Sequence, residues 1–231
     1  MIRLENVSKS YPSKFGRHTV LDRINVDFPP GVNTAIMGPN GAGKSTLMRL
    51  LSGAEMPDSG RIICNAAVSW PLGFKGGLHG SLSGRENVAF ISRIYRRDYK
   101  QMMKYVEDFA EIGKFMNEPI RNYSSGMKAK LSFGVSLAIQ FDYYLIDEVM
   151  SVGDPKFRRK SKAALLERLS NATVIMISHS ASLMKEYCVR GLVLERGRLL
   201  EFSNIDEAIK YYENMGSAQD EPVPHVEGAN S

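Results

Sequence analysis

The sequence predicts an α/β protein in which a helical segment interrupts a core of alternating strands and helices. Short apolar segments bounded by turn residues, such as VNTAIMG at 32–38 and YYLID at 143–147, indicate strands. From about residue 83 to 140 the apolar residues instead recur at helical spacing. The segment GPNGAGKST at 38–46, between a predicted strand and a predicted helix, indicates that this core binds phosphate groups.

The N-terminal region is predicted to be rich in strands. The segments that predict them are IRLENV, INVDF and VNTAIMG. KSTLMRLLSG then predicts a helix that ends near Gly53, a residue type suited to the helix C-terminus. Two more strands are predicted for RIIC and AVSW, ahead of the glycine-rich loop PLGFKGGLHG.

The helical insertion follows this loop. Its helices are predicted for GRENVAFISRIYR, YKQMMKYVEDFAEIG and GMKAKLSFGVSLAIQ, and Ser83 with Glu86 three residues later fits a capping box at the first of them. Strand and helix then alternate through YYLID, FRRKSKAALLERL, TVIMIS and SLMKEY. A hairpin around Arg196-Gly197 and a final helix, DEAIKYYENM, complete the predicted core.

Composition and charge bound the possible classes. The 231 residues are 43% hydrophobic and 24% charged, as in ordinary globular proteins, and no apolar run approaches the ~20 residues that span a bilayer. The N-terminus lacks the features of a secretory signal. Cys64 and Cys188, in apolar segments without CxxC spacing, are predicted to be buried free thiols in a reducing compartment.

Charge is unevenly distributed along the chain. The last fifteen residues, SAQDEPVPHVEGANS, contain three acidic and no basic residues, and their composition predicts disorder. Removing those three from the chain's 30 basic and 25 acidic residues leaves a net charge of +8 on the body. A basic body suggests contact with an anionic partner such as a nucleotide, lipid headgroups or nucleic acid.

The strongest functional motif is the glycine-rich segment, which fits G-x-x-x-x-G-K-[ST] in the strand–loop–helix context that the motif requires. Its glycines let the backbone N–H groups point inward at phosphates, and Lys44 supplies a positive charge to the β and γ phosphates. Ser45 is a candidate Mg²⁺ ligand, and Thr46 can add a hydroxyl contact to the α-phosphate. The predicted nucleotide-binding residues of this segment are Gly38, Pro39, Asn40, Gly41, Ala42, Gly43, Lys44, Ser45 and Thr46.

Two later strands end in groups suited to hydrolysis. YYLIDE places Asp147 where it could hold Mg²⁺ through water and Glu148 where it could polarise an attacking water. VIMISHS delivers His179 to the same sheet edge, where ligands of α/β sheets bind, so it is a candidate for a γ-phosphate contact. The predicted catalytic residues are Glu148, His179 and Lys44, and the predicted metal ligands are Ser45 and Asp147.

A second candidate anion site lies at NYSSGMKAK, residues 122–130, where small residues precede a helix. Together with the motifs above, in this order, it resembles the nucleotide-binding subunit of ABC transporters over about residues 1–214. That resemblance implies a P-loop NTPase fold with a RecA-like core, an N-terminal antiparallel β subdomain and an inserted α-helical subdomain. The implied ATP-binding domain spans 1–216, with the helical subdomain at about 80–140 and a disordered acidic tail at 217–231.

The resemblance also assigns roles by position. Tyr11 would stack on adenine, although a half-buried strand-end tyrosine is the plainer alternative. The signature loop of this family acts on the nucleotide of a partner subunit, so Ser124, Ser125 and Gly126 would act in trans in a head-to-tail homodimer around two ATP molecules. Asp154 would be the D-loop aspartate. The family's usual Gln between subdomains is missing, and its place falls near Gly73-Phe74.

Within the family, YSSGMKAKLSFGVSLA and IDEVMSVGDPKFRRKS resemble the subunits that export capsular polysaccharide, O-antigen or teichoic acid, and the chain's length resembles the short capsular type. The implied partners are a polytopic permease subunit and, indirectly, periplasmic and outer-membrane export proteins, with the chain peripheral on the cytoplasmic face of the inner membrane. Another transported substrate, such as a lipid, a drug or a nutrient, is the nearest alternative. A soluble ABC-type ATPase is less favoured, and no nucleic-acid partner is expected.

One basic cluster in the insertion has two interpretations. Its members, predicted to be spaced at helical intervals, are Arg93, Arg96, Arg97, Lys100 and Lys104. They form either a solvated helix face or a contact with anionic headgroups or a membrane subunit.

Overall fold

The computed structural model describes residues 1–14, 16–72, 78–147 and 154–217, and within them the chain forms two β-sheets with seven α-helices. The smaller sheet is antiparallel, in the order β2-β1-β4. Its strands are β1 (Ile2–Ser13), β2 (Gly16–Phe28) and β4 (Ser59–Cys64). This sheet packs one face against the core while the outer residues of β4 remain exposed.

The larger sheet has the order β5-β6-β3-β7-β8, with four parallel strands and an antiparallel β8 at one edge. Its strands are β3 (Thr34–Met37), β5 (Tyr143–Asp147), β6 (Thr173–Ile177), β7 (Arg190–Glu195) and β8 (Arg198–Phe202). Every residue of β3 and β6 is buried, because layers of the protein cover both faces of the sheet. The α/β prediction is confirmed, including the hairpin at Arg196-Gly197.

The helices fall into two groups along the chain. Those interleaved with the strands of the larger sheet are α1 (Lys44–Leu51), α5 (Pro155–Leu169), α6 (Ala181–Tyr187) and α7 (Ile205–Ser217). Those between β4 and β5 are α2 (Gly84–Ile94), α3 (Tyr99–Ala110) and α4 (Ser125–Ala138). Within the described ranges, no helix is both long and apolar enough to cross a lipid bilayer.

The predicted capping box at α2 is confirmed. Ser83 Oγ accepts a hydrogen bond from the Glu86 backbone N–H at 3.2 Å, and the Ser83 N–H donates to Glu86 Oε2 at 2.7 Å. These bonds satisfy two donors that would otherwise lack partners at the helix start.

The prediction of a strand at AVSW is wrong. This segment runs beside β5 with single parallel bridges at Val68–Tyr143 and Leu72–Ile146. Ser69 Oγ takes the place of a backbone acceptor for the Leu145 N–H at 2.9 Å, and Pro71 has no N–H to donate. A continuous ladder therefore does not form.

Two further predictions need correction. Cys188 is a buried free thiol as predicted, and burial raises its pKa to about 12, but Cys64 is exposed because it ends β4 at the open edge of the antiparallel sheet. The basic cluster also does not lie on one helix. Arg93 lies on α2, Arg96 and Arg97 in the following turn, and Lys100 and Lys104 on α3.

Candidate nucleotide-binding site

The register of the larger sheet brings three predicted segments to one edge. Ile36 on β3 and Asp147 on β5 both pair with Ile177 of the intervening β6. The glycine-rich loop begins two residues after Ile36, and His179 comes two residues after Ile177. Parallel strands end at the same side of a sheet, so the loop, Asp147 and His179 face one another across it.

Gly38, Gly41 and Gly43 of the loop all adopt a φ that L-residues rarely take, and at two of them a Cβ would also collide with the protein. Gly38 has φ +149° and a Cβ there would lie 2.4 Å from the Leu194 carbonyl oxygen. Gly43 has φ +105°, and its Cβ would lie 2.5 Å from Val20 Cγ1. The tight curl of the loop therefore depends on glycine at both positions.

The Lys44 side chain folds back onto the backbone of the glycine-rich loop. Lys44 is the first residue of α1, and its Nζ donates hydrogen bonds to the carbonyl oxygens of Gly38 at 2.6 Å and Pro39 at 2.9 Å. These bonds hold the ammonium group inside the ring of backbone at the N-terminus of α1. The positive charge and the positive end of the helix dipole therefore coincide, which favours an anion at this point.

A pocket of about 330 Å³ opens at this edge. The residues that line it are Tyr11, Val20, Asn40, Gly41, Gly43, Lys44, Ser45, Thr46, Asp147, Ile177 and His179. Gly38, Pro39 and Ala42 belong to the loop but are not among these lining residues. The geometry thus brings most of the predicted nucleotide site together in one cavity, with Val20 and Ile177 added as apolar walls.

Tyr11 reaches the pocket from β1 and is held by its hydroxyl. The hydroxyl donates to Glu55 Oε2 at 2.7 Å and accepts from Arg49 Nη2 at 2.9 Å. Burial opposes ionisation of Glu55, but hydrogen bonds from Tyr11, Arg49 and Lys9 outweigh it and hold the Glu55 pKa below its ordinary value. The hydrogen bond with Tyr11 is the largest cause of a raised pKa for Arg49. Both groups are therefore charged at neutral pH.

The two predicted metal ligands lie in the same pocket. Ser45, on the first turn of α1, is exposed, and Asp147, at the end of β5, is half-buried. A hydroxyl and a carboxylate are oxygen ligands of the kind that Mg²⁺ takes alongside phosphate oxygens and water. Among the described residues no group of three or more His, Cys, Asp or Glu could hold a metal ion.

The SSGM segment lines a different cavity. Ser124 is the N-cap of α4, and its Oγ accepts from the Met127 N–H at 3.2 Å, while Ser125 is the first residue of that helix. Ser124 and Gly126 line a groove of about 390 Å³ with Asp154 and Lys130, among other residues. Within the described chain, the nucleotide pocket therefore has no lining residue from this segment.

Asp154 links the SSGM helix to the following helix. Its Oδ1 accepts from the Phe157 N–H at 2.9 Å as the N-cap of α5, and its Oδ2 lies 3.3 Å from Lys130 Nζ on α4. The Phe157 amide is the largest cause that holds the Asp154 pKa below its usual range, and Lys130 adds to it. The SSGM segment and Asp154 thus present one continuous surface.

Some predicted positions cannot be compared with the structure. Glu148 and the Gly73-Phe74 loop lie outside the described residues. Arg49 and Glu55, whose side chains hold the Tyr11 hydroxyl, were not predicted as site residues because neither stands in a recognisable motif. For Arg49 the sequence offers one indication: it lies three residues after Thr46, on the helix that follows the loop. For Glu55 it offers none.

Comparisons with known proteins agree with this geometry. The ABC transporter family matches residues 21–151. The chain is 45% identical to the polysialic acid transport ATP-binding protein KpsT of Escherichia coli, over 96% of both chains. It is 46% identical to the capsule polysaccharide export ATP-binding protein CtrD of Neisseria meningitidis, over 93% of this chain and 100% of that one. It is 47% identical to the ATP-binding protein BexA of Haemophilus influenzae, over 92% of this chain and 98% of that one.

Solved structures share the fold. A dimeric post-hydrolysis state of the ATP-binding cassette MJ0796 bound to ADP and Pi superposes with a TM-score of 0.71 at 21% identity, over 87% of this chain and 98% of that chain. A second dimeric structure of MJ0796, described as a bacterial ABC transporter cassette, superposes with a TM-score of 0.68 at 22% identity, over 86% of this chain and 96% of that chain. With the loop, the strand-end carboxylate and the family match in agreement, the chain belongs to the ABC transporter family, as an ATP-binding ATPase.

Proposed function

We propose that this chain is the ATP-hydrolysing subunit of a transporter that exports capsular polysaccharide. The observation that carries the proposal is its identity of 45–47% to three proteins, over nearly the full length of each. One of these is named for polysialic acid transport and another for capsule polysaccharide export. The nucleotide pocket supplies the chemistry that such a motor needs.

The substrate ATP would lie with its phosphates on the curled loop and its adenine against Tyr11. Backbone N–H groups from 38–46 and the Lys44 ammonium would neutralise the phosphate charge, and the Thr46 hydroxyl would contact the α-phosphate. His179 would donate to a γ-phosphate oxygen from the end of β6. Glu148, adjacent to Asp147, would accept a proton from the attacking water.

The same pocket would hold Mg²⁺ through Ser45 and, by way of water, Asp147. When bound, the ion neutralises charge that develops on the β and γ phosphate oxygens. The protein contributes the orientation of these two groups: Ser45 is fixed on the first turn of α1, and Asp147 is fixed by its pairing with Ile177.

The signature loop, Ser124 to Gly126, would act on the nucleotide of a second copy. Its placement in a groove away from the chain's own pocket supports action in trans, as does the exposure of Ser124. Asp154 shares that groove, so it would face the partner beside the signature loop. A head-to-tail homodimer would then hold two ATP molecules between the two copies.

The motor would act on a polytopic permease at the cytoplasmic face of the inner membrane, which in turn passes polysaccharide to periplasmic and outer-membrane export proteins. The basic residues at the tip of α2 and α3 are exposed and would suit a contact with acidic headgroups or with the permease. Hydrolysis would reopen the dimer and reset the permease.

A teichoic acid exporter is the second candidate. The chain is 34% identical to the teichoic acids export ATP-binding protein TagH of Bacillus anthracis, over 93% of this chain but only 42% of that one. Lower identity and the partial coverage of that protein favour capsular polysaccharide.

The test is genetic and uses the whole cell that encodes the chain. Replacement of the native copy with a Lys44→Ala variant should remove polysaccharide from the cell surface and leave it inside the cell, because phosphate binding fails. Surface and internal polysaccharide are measured by immunoassay or composition analysis. Lys210→Ala, which changes an exposed lysine on α7, is the matched control and should leave export intact.

Unchanged surface polysaccharide in the Lys44→Ala strain would contradict the polysaccharide proposal. Loss of teichoic acid or of a lipid from the surface in that strain would assign the motor to that substrate instead.

A further inference from the structure

We infer that Arg49 and Glu55 are positioning residues, which fix the ring of Tyr11 for contact with the nucleotide base. This inference rests on the proposed adenine contact of Tyr11 and assigns two residues that no motif of the sequence identifies.

The Tyr11 hydroxyl is engaged on both sides. It donates to Glu55 Oε2 at 2.7 Å and accepts from Arg49 Nη2 at 2.9 Å. Arg49 Nε also donates to Glu55 Oε2 at 3.0 Å, which closes a triangle of hydrogen bonds. Because both bonds to the hydroxyl involve a charged group, the ring cannot swing away without breaking a strong hydrogen bond.

The same guanidinium ties the ring to the phosphate loop. Arg49 Nη2 donates to Thr46 Oγ1 at 3.1 Å, and Thr46 is a buried residue of the first turn of α1. The Tyr11 hydroxyl also lies 3.5 Å from Thr46 Oγ1. Because the Thr46 oxygen accepts from Arg49, its hydrogen can be donated to another oxygen. Arg49 therefore links the residue proposed to contact the base to one proposed to contact the phosphates.

Two further charged side chains, Lys9 and Asp58, extend this network of interactions. Lys9 Nζ lies 3.2 Å from Glu55 Oε1 and 3.2 Å from Asp58 Oδ1, and it also lies 5.7 Å from the centre of the Tyr11 ring. Asp58 in turn accepts from the Ser10 N–H at 2.9 Å. The Lys9 and Glu55 side chains are only 12% and 23% exposed, so solvent screens this pair less than a surface pair.

Of the loop residues, these bonds involve Thr46 but not the glycines or Lys44. Loss of Arg49 or Glu55 should therefore weaken the binding of ATP more than the binding of inorganic tripolyphosphate, which has no base. A residue that served only the stability of the loop would weaken both ligands together.

The experiment measures the affinity of the purified full chain for ATP and for tripolyphosphate, each with Mg²⁺, by calorimetry. Tyr11→Ala should weaken the binding of ATP by about tenfold, since stacking of a base on an aromatic ring is worth about that much. The affinity for tripolyphosphate should stay unchanged. Arg49→Met and Glu55→Ala should each weaken the binding of ATP by about threefold and the binding of tripolyphosphate by less. Arg61→Met is the matched control, because Arg61 pairs with Glu5 on the exposed β4 edge, away from the pocket.

A double-mutant cycle then tests whether Arg49 acts through Tyr11. In a Tyr11→Phe background, which keeps the ring and removes the hydroxyl, Arg49→Met should cause a clearly smaller loss of ATP affinity than it does in the unmodified chain. Full additivity of the two changes would overturn the inference, and so would an equal loss of ATP and tripolyphosphate binding in Arg49→Met. If instead Tyr11→Ala left ATP affinity unchanged, the proposed adenine contact itself would be wrong.

Discussion

The phosphate loop and the signature loop both place glycine at the start of a helix, but for different reasons. Gly38 and Gly43 have positive φ, and a Cβ at either would collide with the protein itself. Gly126 lies in the first turn of α4 without positive φ, and among the described residues a Cβ there would meet Ser124 Oγ alone, at 3.9 Å. The described part of the fold therefore requires glycine at 38 and 43 but gives no such requirement at 126. A small residue at 126 agrees with the proposed contact in trans.

The largest expected effect separates the binding of ATP from its hydrolysis. Glu148→Gln should lower the rate of ATP hydrolysis by about a thousandfold, because the proposed general base is lost, while ATP affinity stays unchanged. A dimer should accumulate with saturating ATP, since hydrolysis no longer reopens it. Phosphate release and size-exclusion chromatography measure the two outcomes.

Glu118→Gln is the matched control for that change, because Glu118 is exposed and lies far along the chain from the pocket residues. Normal hydrolysis in Glu148→Gln, or a chain that stays monomeric with saturating ATP, would contradict the proposed mechanism.

The second effect tests the signature loop alone. Ser124→Arg should lower turnover by about a hundredfold, because a large charged side chain blocks approach of the partner, while the isolated monomer binds ATP with normal affinity. Ser124→Ala separates the effect of added bulk from loss of the hydroxyl, whose role as the helix cap is worth about 1 kcal/mol. Loss of ATP binding by the Ser124→Arg monomer would show that the loop serves its own pocket, and the comparison between the two loops would fail.

The third effect compares the glycines directly. Gly38→Ala should lower the free energy of unfolding by roughly 2–4 kcal/mol, because it adds a backbone clash to an unfavourable φ. Gly126→Ala should raise it by about 0.5–1 kcal/mol, because alanine favours helix over glycine, and yet lower turnover about tenfold. Urea denaturation and phosphate release measure these two changes, and a destabilised Gly126→Ala variant would remove the basis for a role in trans.

Much of the nucleotide site could be predicted because local patterns determine it. A loop between strand and helix defines the glycines and Lys44, and the common end of parallel strands places Asp147 and His179 beside them. The hydrogen bonds of Tyr11 could not be predicted. They join residues separated by 44 positions for Glu55 and 38 for Arg49, with no periodicity to relate them.

Dependence on long-range contacts also explains why the predicted burial of Cys64 is wrong. RIIC has the composition of a buried strand, but burial depends on which strand lies at the edge of the antiparallel sheet. That order, β2-β1-β4, follows from long-range pairing of β4 with β1. Cys64 is therefore exposed, although its neighbours in sequence are apolar.

The smallest expected effect concerns the surface that the signature loop shares with Asp154. Asp154→Asn keeps a side-chain oxygen to cap α5 but loses the charge that pairs with Lys130, so the melting temperature at pH 7 should fall by about 1 °C. The Asp154 pKa is lowered in the folded chain, first by the Phe157 amide and also by Lys130. The carboxylate therefore stabilises the fold at pH values above its ordinary pKa of 3.8, and this contribution is lost as the pH falls through the lowered value. In thermal melts from pH 7 down to pH 3, the difference in melting temperature between the unmodified chain and Asp154→Asn should become smaller. Lys130→Met should lower the melting temperature at pH 7 by the same amount. In the double variant the two losses should not add. A difference that persisted undiminished at pH 3 would mean that the carboxylate charge does not link α4 to α5, and that the SSGM segment and Asp154 are neighbours without being coupled.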